Sequence, residues 1–155
     1  MKFFTLIIIL FTSITTLAQK PVDKERFNNA VDLMKEKNYH GAIDIWLELE
    51  KEHPYNANIQ FSIGDCYMNS KYEKTKSIPY FKKAQKQLTD DYKKGNHKET
   101  LAPLETLYWL GKAYHISYQF DKAIEKYMEY RDILFDKNFY LLKSLLSSLV
   151  KVSLL

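Results

Sequence analysis

The apolar residues of this chain recur at the spacing of amphipathic α-helices. The clearest face places Phe27, Ala30, Val31 and Met34 at positions i, i+3, i+4 and i+7. An α-helix has 3.6 residues per turn, so these side chains share one side of a helix. Similar faces continue to about residue 134, and the chain is therefore predicted to be all-α.

Turn-forming and helix-ending residues group the predicted helices into hairpins. The first hairpin is expected over residues 23–52, with a turn at 37–41, and Pro54 ends its second helix because proline cannot continue one. The second is expected over residues 57–88 and the third over 102–134. Pro103 would suit the first turn of the third hairpin's opening helix.

Small residues recur where two helices of a hairpin would touch, since a larger side chain would push the backbones apart. They form pairs twelve or thirteen residues apart, namely Ala30 and Ala42, Gly64 and Ser77, and Gly111 and Ala123. The pattern predicts stacked helix-turn-helix hairpins.

The same spacing resembles that of tetratricopeptide (TPR) repeats, because Ala30 and Gly64 lie one 34-residue repeat apart. Bulky residues occupy the other TPR positions, although Leu33 and Ser77 depart mildly from the pattern. These positions are Leu33, Tyr67 and Tyr114 in the first helices and Trp46, Phe81 and Tyr127 in the second. The resemblance covers residues 23–134 and implies a TPR solenoid of about three repeats plus a C-terminal helix, which binds other proteins.

The N-terminal residues have the layout of a secretory signal peptide. Lys2 precedes an apolar run over residues 3–11, and small residues precede Gln19. We predict a signal peptide over residues 1–18, a TPR domain over 19–134, and export across the inner membrane. The alternative, a membrane anchor, is disfavoured because a spanning helix needs roughly 20 apolar residues.

A narrower resemblance supports the same location. The signal-peptide end and residues 104–115 and 120–124 are similar to the start of large envelope proteins of Bacteroidetes-type bacteria. In those proteins an N-terminal TPR region precedes a PD40-type propeller and an OmpA-like domain. The resemblance implies a periplasmic or outer-membrane-associated protein. The 155 residues contain no counterpart of the propeller or of the OmpA-like domain, so the resemblance does not imply peptidoglycan binding for this chain.

Two segments lie outside the regular repeat. Residues 89–101 are polar and separate the second and third hairpins; they are expected to be a tolerated insertion or a partner-binding loop, with or without an extra turn on the preceding helix. Residues 135–155 are expected to form a C-terminal amphipathic helix, which is either complete or part of a truncated repeat. This helix could cap the stack, lie on a membrane surface or be half of a hairpin whose partner helix is missing, and its apolar face could also form a homodimer.

Charge and composition argue against several functions. The net charge of +4 is spread over mixed signs, so no nucleic-acid surface is predicted. Cys66 is the only cysteine and is expected to be a buried thiol. Neither the histidines nor the glycines have the spacing of a zinc site, a catalytic motif or a phosphate loop. We therefore predict no enzyme, no metal and no cofactor.

The concave groove of the stack is the predicted binding surface for a protein or peptide. We therefore predict a non-catalytic protein-interaction scaffold of the bacterial cell envelope; the alternative is a membrane-surface-associated structural element that uses the 138–155 helix. Another interpretation of the groove aromatics is that they pack between repeats. The predicted partner-binding residues are Phe27, Met34, Asn58, Phe61, Asp65, Met68, Asn69, Glu105, Tyr108, Lys112 and His115.

Overall fold

The computed structural model describes residues 20–152, with side-chain environments for residues 20–140. Its helices are α1 (Lys24–Lys35), α2 (Tyr39–Glu52), α3 (Ala57–Asn69), α4 (Ser77–Ala84), α5 (Glu105–Ile116) and α6 (Phe120–Val152). A 3₁₀ turn (Lys74–Lys76) precedes α4, and the short strands β1 (Leu88–Thr89) and β2 (Ala102–Pro103) pair in parallel. The all-α prediction is confirmed, and the predicted signal peptide lies outside the described residues.

Each helix packs against the next one in sequence, so the chain forms three consecutive hairpins, α1–α2, α3–α4 and α5–α6. The first helices of the second and third hairpins, α3 and α5, also touch. Contacts between neighbours in sequence therefore build most of the fold.

Side-chain caps define where the first three helices begin. Asp23 accepts hydrogen bonds from the N–H groups of the first turn of α1, and Asn56 does the same for α3. Asn38 Oδ1 accepts the Gly41 N–H at 3.2 Å, so α2 already begins at Tyr39. The predicted turn at 37–41 is thus too long, because its last residues form the capped first turn of α2.

The first and third hairpins use the same turn. Lys37 (φ 62°) and Tyr118 (φ 60°) adopt the left-handed conformation just after the first helix of each hairpin. In both turns the following N–H bonds to the carbonyl five residues earlier, at 2.9 Å, as in a Schellman-type helix end. The two turns are separated by 118 − 37 = 81 residues, which is also the separation of Ala30 and Gly111.

Small residues and aromatic rings interlock inside the hairpins. A Cβ added at Gly64 would lie 2.6 Å from the Phe81 ring, and one added at Gly111 would lie 2.8 Å from the Tyr127 ring. Ala30 belongs to a buried cluster that also contains Trp46. The prediction that small residues lie where paired helices touch is confirmed for the two glycines.

Two predicted helix boundaries are wrong around the insertion. α4 ends at Ala84 rather than near residue 88, so the second helix is not lengthened by a turn, which the sequence had left open; and Pro103 lies in β2 rather than in the first turn of α5. The Ala102 N–H donates to the Gln87 carbonyl at 2.9 Å. Because this pairing fixes residues 102–103 as a strand, the helix begins only at Glu105.

The second helix of the third hairpin does not end near residue 134. α6 continues to Val152, and residues 120–152 contain no proline or glycine that would interrupt it. The expected C-terminal helix is therefore the distal part of α6. α6 has 33 residues and α5 has 12, so Phe135, Phe139 and Tyr140 remain exposed. No described helix, α6 included, is long and apolar enough to cross a membrane.

His53 is expected to make stability depend on pH. It is 1% exposed, and within the described residues neither ring nitrogen has a hydrogen-bond partner. Burial lowers the pKa of His53 below its usual 6.5, so the unfolded chain binds more protons below that pH. The free energy of unfolding should therefore fall as the pH drops below about 6.5, by at most about 1.4 kcal/mol per pH unit for one proton.

Urea unfolding at pH 7.5, 6.5 and 5.5 measures this dependence. We expect His53→Leu to flatten the pH profile, whereas His40→Leu, which changes an exposed histidine, should leave the slope unchanged. Equal slopes for the wild type and His53→Leu would contradict the assignment.

Cys66 should be inert toward thiol reagents while the chain is folded. Its side chain is 0% exposed, and burial, with a smaller contribution from Asp65, raises the pKa of the thiol to about 12. The reactive species is the thiolate, so labelling at pH 8 should be about three orders of magnitude slower than for a free cysteine. Absorbance on reaction with a disulfide reagent, with and without urea, measures the rate. Cys66→Ala/Asn29→Cys is the exposed control, and equal native rates would contradict the prediction.

Candidate partner-binding groove

An open cavity lies between α1, α3 and the segment 90–101, which we call the insertion loop. Its volume is about 740 Å³, and it opens to solvent. α1 and α3 are the first helices of their hairpins, so this is the surface where the sequence predicts a groove. Six of the predicted binding residues line it, namely Phe27, Met34, Asn58, Phe61, Asp65 and Asn69.

The other predicted residues lie elsewhere. Met68 is 4% exposed and packs in the core between α4, α5 and α6. Glu105, Tyr108, Lys112 and His115 lie on α5, outside the cavity lining. The structure therefore divides the predicted site into a groove beside α3 and a separate face of α5.

The face of α5 is rich in contacts between aromatic rings. The Tyr108 ring lies 5.4 Å from the Trp109 ring and 5.7 Å from the Tyr127 ring. The Lys112 ammonium lies 4.9 Å from the centre of the Trp109 ring, and the His115 ring lies 5.5 Å from that of Phe120. Tyr108 is 40% exposed and Phe120 51%, so both rings also remain open to solvent.

Two groove residues also belong to the core of the first hairpin. Phe27 is 2% exposed and packs edge-on against Trp46, with 4.9 Å between ring centres. The Trp46 Nε1–H donates to Met34 Sδ at 3.3 Å. Phe27 thus packs inside the first hairpin, whereas Phe61 and Asp65 are half-buried and face the cavity.

The insertion loop supplies a wall that the sequence analysis missed. The Tyr92 ring meets the Phe61 ring edge-on at 6.1 Å, and its hydroxyl donates to Asn58 Oδ1 at 2.5 Å. Burial raises the pKa of Tyr92 well above its usual range, so the hydroxyl stays protonated. The sequence signal that could have indicated these contacts is Tyr92 itself, an aromatic residue within a mainly polar insertion.

The base of the insertion loop is fastened to the start of α3. The Thr100 carbonyl accepts the Ala57 N–H at 2.9 Å and the Asn58 N–H at 3.3 Å. Asn58 Nδ2 also donates to the Glu99 carbonyl at 3.2 Å. The N–H groups of the first turn of a helix have no partner within that helix, and the loop supplies one here. These bonds hold the loop against α3, beside the cavity.

Asp65 is the ionisable group of α3 that faces the cavity. Burial raises the pKa of its carboxyl group, while the nearby Lys94 ammonium and a hydrogen bond from Asn69 Nδ2 at 2.7 Å act in the opposite direction. The side chain is thus partly removed from water, with a cation of the insertion loop in its vicinity.

Comparisons with protein-family models, with curated proteins and with solved structures found no match. In the part of the chain that the structure describes, no three His, Cys, Asp or Glu side chains are grouped so that they could hold a metal ion. The functional argument therefore depends on the groove itself.

Proposed function

We propose that this protein is a non-catalytic interaction scaffold that binds a protein segment in the groove between α1, α3 and the insertion loop. The observation that carries the proposal is the open cavity of about 740 Å³. This volume lies in the range of roughly 300–1,000 Å³ that is typical of ligand pockets. Its lining combines Phe61 and Tyr92 with the polar side chains of Asp65 and Asn69, a mixture suited to a peptide.

The proposal includes a TPR-type stack. Its support is that the same contact and the same turn conformation recur in different hairpins. Gly64 with Phe81 and Gly111 with Tyr127 repeat one glycine–ring contact. The identical turns of the first and third hairpins repeat one backbone conformation. Stacks of this kind present extended concave surfaces for binding.

The proposal also places the protein in the cell envelope of a Gram-negative bacterium, in the periplasm or at the outer membrane. The support is the signal-peptide pattern of residues 1–18 and the resemblance of residues 104–115 to envelope proteins. Recovery of the native protein from an envelope fraction, with Gln19 as its first residue by intact mass, is the expected result. A native chain that retains Met1 would contradict removal of residues 1–18 as a signal peptide.

Two adjacent asparagines on α1 provide the test of the groove. Asn28 and Asn29 are both exposed, but only Asn28 lines the cavity. Asn28→Trp should obstruct the groove, whereas Asn29→Trp should not. We expect a partner that is captured from native envelope extracts by the wild type and by Asn29→Trp to be lost with Asn28→Trp, while circular dichroism shows all three folded. Equal capture by both variants would contradict groove binding.

Exposed aromatic residues near the end of α6 favour a second candidate, a structural element associated with the membrane surface. Phe135 is 69% exposed, Phe139 56% and Tyr140 71%. Aromatic side chains of amphipathic helices insert at lipid interfaces. This function requires the chain to float with anionic liposomes and to lose that binding when all three residues are changed to serine.

A further inference from the structure

The carboxylate of Asp65 has acceptor positions open to the groove. A carboxylate offers about four lone-pair sites. Within residues 20–140, the hydrogen bond from Asn69 Nδ2 at 2.7 Å is the one side-chain bond to this group. Asp65 lies in the interior of α3, so the helix backbone offers its side chain no free N–H group. A ligand in the cavity can therefore reach it directly.

The other charged residues of the cavity leave this carboxylate without a close counter-charge. Asp32 and Lys35 pair with each other at 2.8 Å on α1. Lys94 is near enough to lower the pKa of Asp65, yet it is exposed, and no ion pair within 4.0 Å joins the two in the described structure. Of the lining carboxylates, Asp65 is thus the one that a ligand cation can neutralise.

The walls beside Asp65 suit the rest of a basic side chain. Phe61 and Tyr92 present rings that meet edge-on, and a ring face attracts a cation within about 6 Å. Val31 and Met34, both half-buried, supply apolar surface for the methylene groups of a lysine or arginine. Partial exclusion of water strengthens the attraction between opposite charges.

We infer that the groove recognises a partner segment through one lysine or arginine side chain, whose cation pairs with Asp65 beside the rings of Phe61 and Tyr92. This inference rests on the proposed function and specifies the partner's chemistry. An acidic side chain at the same place would meet a partly buried carboxylate and be rejected. A neutral side chain would leave that carboxylate without its counter-charge.

Three pentapeptides that differ in one side chain test the charge requirement. The probes are acetylated and amidated Ala-Phe-X-Phe-Ala, where X is arginine, citrulline or glutamate, and the readout is the amide NMR shifts of the labelled protein. We expect the arginine peptide to bind at least about fivefold more tightly than the citrulline peptide, as for a charge-assisted contact. The shifts should concentrate in α3 and the insertion loop.

The matched variants are Asp65→Asn and Asp32→Asn. Asp65→Asn should remove the preference for arginine, and Asp32→Asn, which changes an exposed carboxylate on the same cavity, should retain it. Equal affinity for arginine and citrulline in the wild type would overturn the inference, even where Asp65→Asn fails to fold. A preference that survives Asp65→Asn, or no shift with millimolar arginine peptide, would overturn it as well.

Failure of this inference is distinguishable from failure of the proposed function. Loss of the captured partner with Asn28→Trp, combined with equal binding of the arginine and citrulline peptides, means that the groove binds a partner through other contacts. Unchanged capture with Asn28→Trp means that the groove is not the binding surface.

Discussion

Replacing Phe81 with alanine is expected to lower the free energy of unfolding by about 3–5 kcal/mol. The ring is 0% exposed and lies between Gly64 and Phe61, with 5.9 Å between the two phenylalanine ring centres. Its removal would leave a cavity where α3 packs on α4. Since small domains are stable by about 5–15 kcal/mol, this single change would consume a large part of the total.

Urea unfolding followed by circular dichroism measures the loss. Phe135→Ala is the matched control, because Phe135 is 69% exposed and its removal should change the free energy of unfolding by no more than about 0.5 kcal/mol. Equal effects of the two substitutions would show that the α3–α4 contact does not support the fold as described.

The contact between Phe81 and Gly64 predicts that the effect of Gly64→Ala on the free energy of unfolding changes sign when Phe81 is removed. Alanine is favoured over glycine in a helix by about 1 kcal/mol. An alanine Cβ at position 64 would nevertheless lie 2.6 Å from the Phe81 ring, so Gly64→Ala should destabilise the wild type by about 1–3 kcal/mol. In the Phe81→Ala background the same substitution should stabilise, since the ring is gone. Stabilisation in the wild type would contradict the close packing.

Tyr92→Phe is expected to lower the free energy of unfolding by about 1–3 kcal/mol. The substitution removes the hydroxyl that donates to Asn58 Oδ1 at 2.5 Å, and Asn58 is 1% exposed. A buried acceptor would therefore lose its partner. The phenyl ring remains against Phe61, so the groove wall should survive the substitution.

Two readouts separate anchoring of the loop from groove binding. Urea unfolding should show the loss for Tyr92→Phe and almost none for Tyr55→Phe, because Tyr55 is 77% exposed. Amide hydrogen exchange in residues 90–101 should accelerate in Tyr92→Phe alone, while the preference for the arginine peptide persists. Unchanged stability and exchange would mean that the Tyr92 hydroxyl does not hold the loop.

Short-range patterns in the sequence were sufficient to locate the helices and the glycine contacts within the second and third hairpins, although several helix boundaries were wrong. The 3.6-residue period marked the apolar faces, and the spacing of small residues marked Gly64 and Gly111 as positions where helices touch. In the structure, the Asn56 side chain caps α3 by accepting the Ile59 N–H three residues away, a short-range signal that the sequence analysis did not use. Such signals are legible because the interacting residues are close in sequence.

The groove was decided by contacts between residues far apart in sequence. Asn58 bonds to Tyr92 and to Glu99, which are 34 and 41 residues away, and periodicity within one helix carries no information about such pairs. The sequence analysis therefore selected Phe61 and Asp65, which line the cavity, but it left residues 89–101 as either a tolerated insertion or a partner-binding loop and did not predict the contact of Tyr92 with Asn58. It also grouped residues of α5, such as Tyr108, with the groove, because repeat spacing assigns a face to each helix and cannot show against which helix an insertion packs. The sequence by itself determined the helical hairpins and their small-residue contacts, whereas only the tertiary structure determined that residues 90–101 fold back against α3 and form one wall of the cavity.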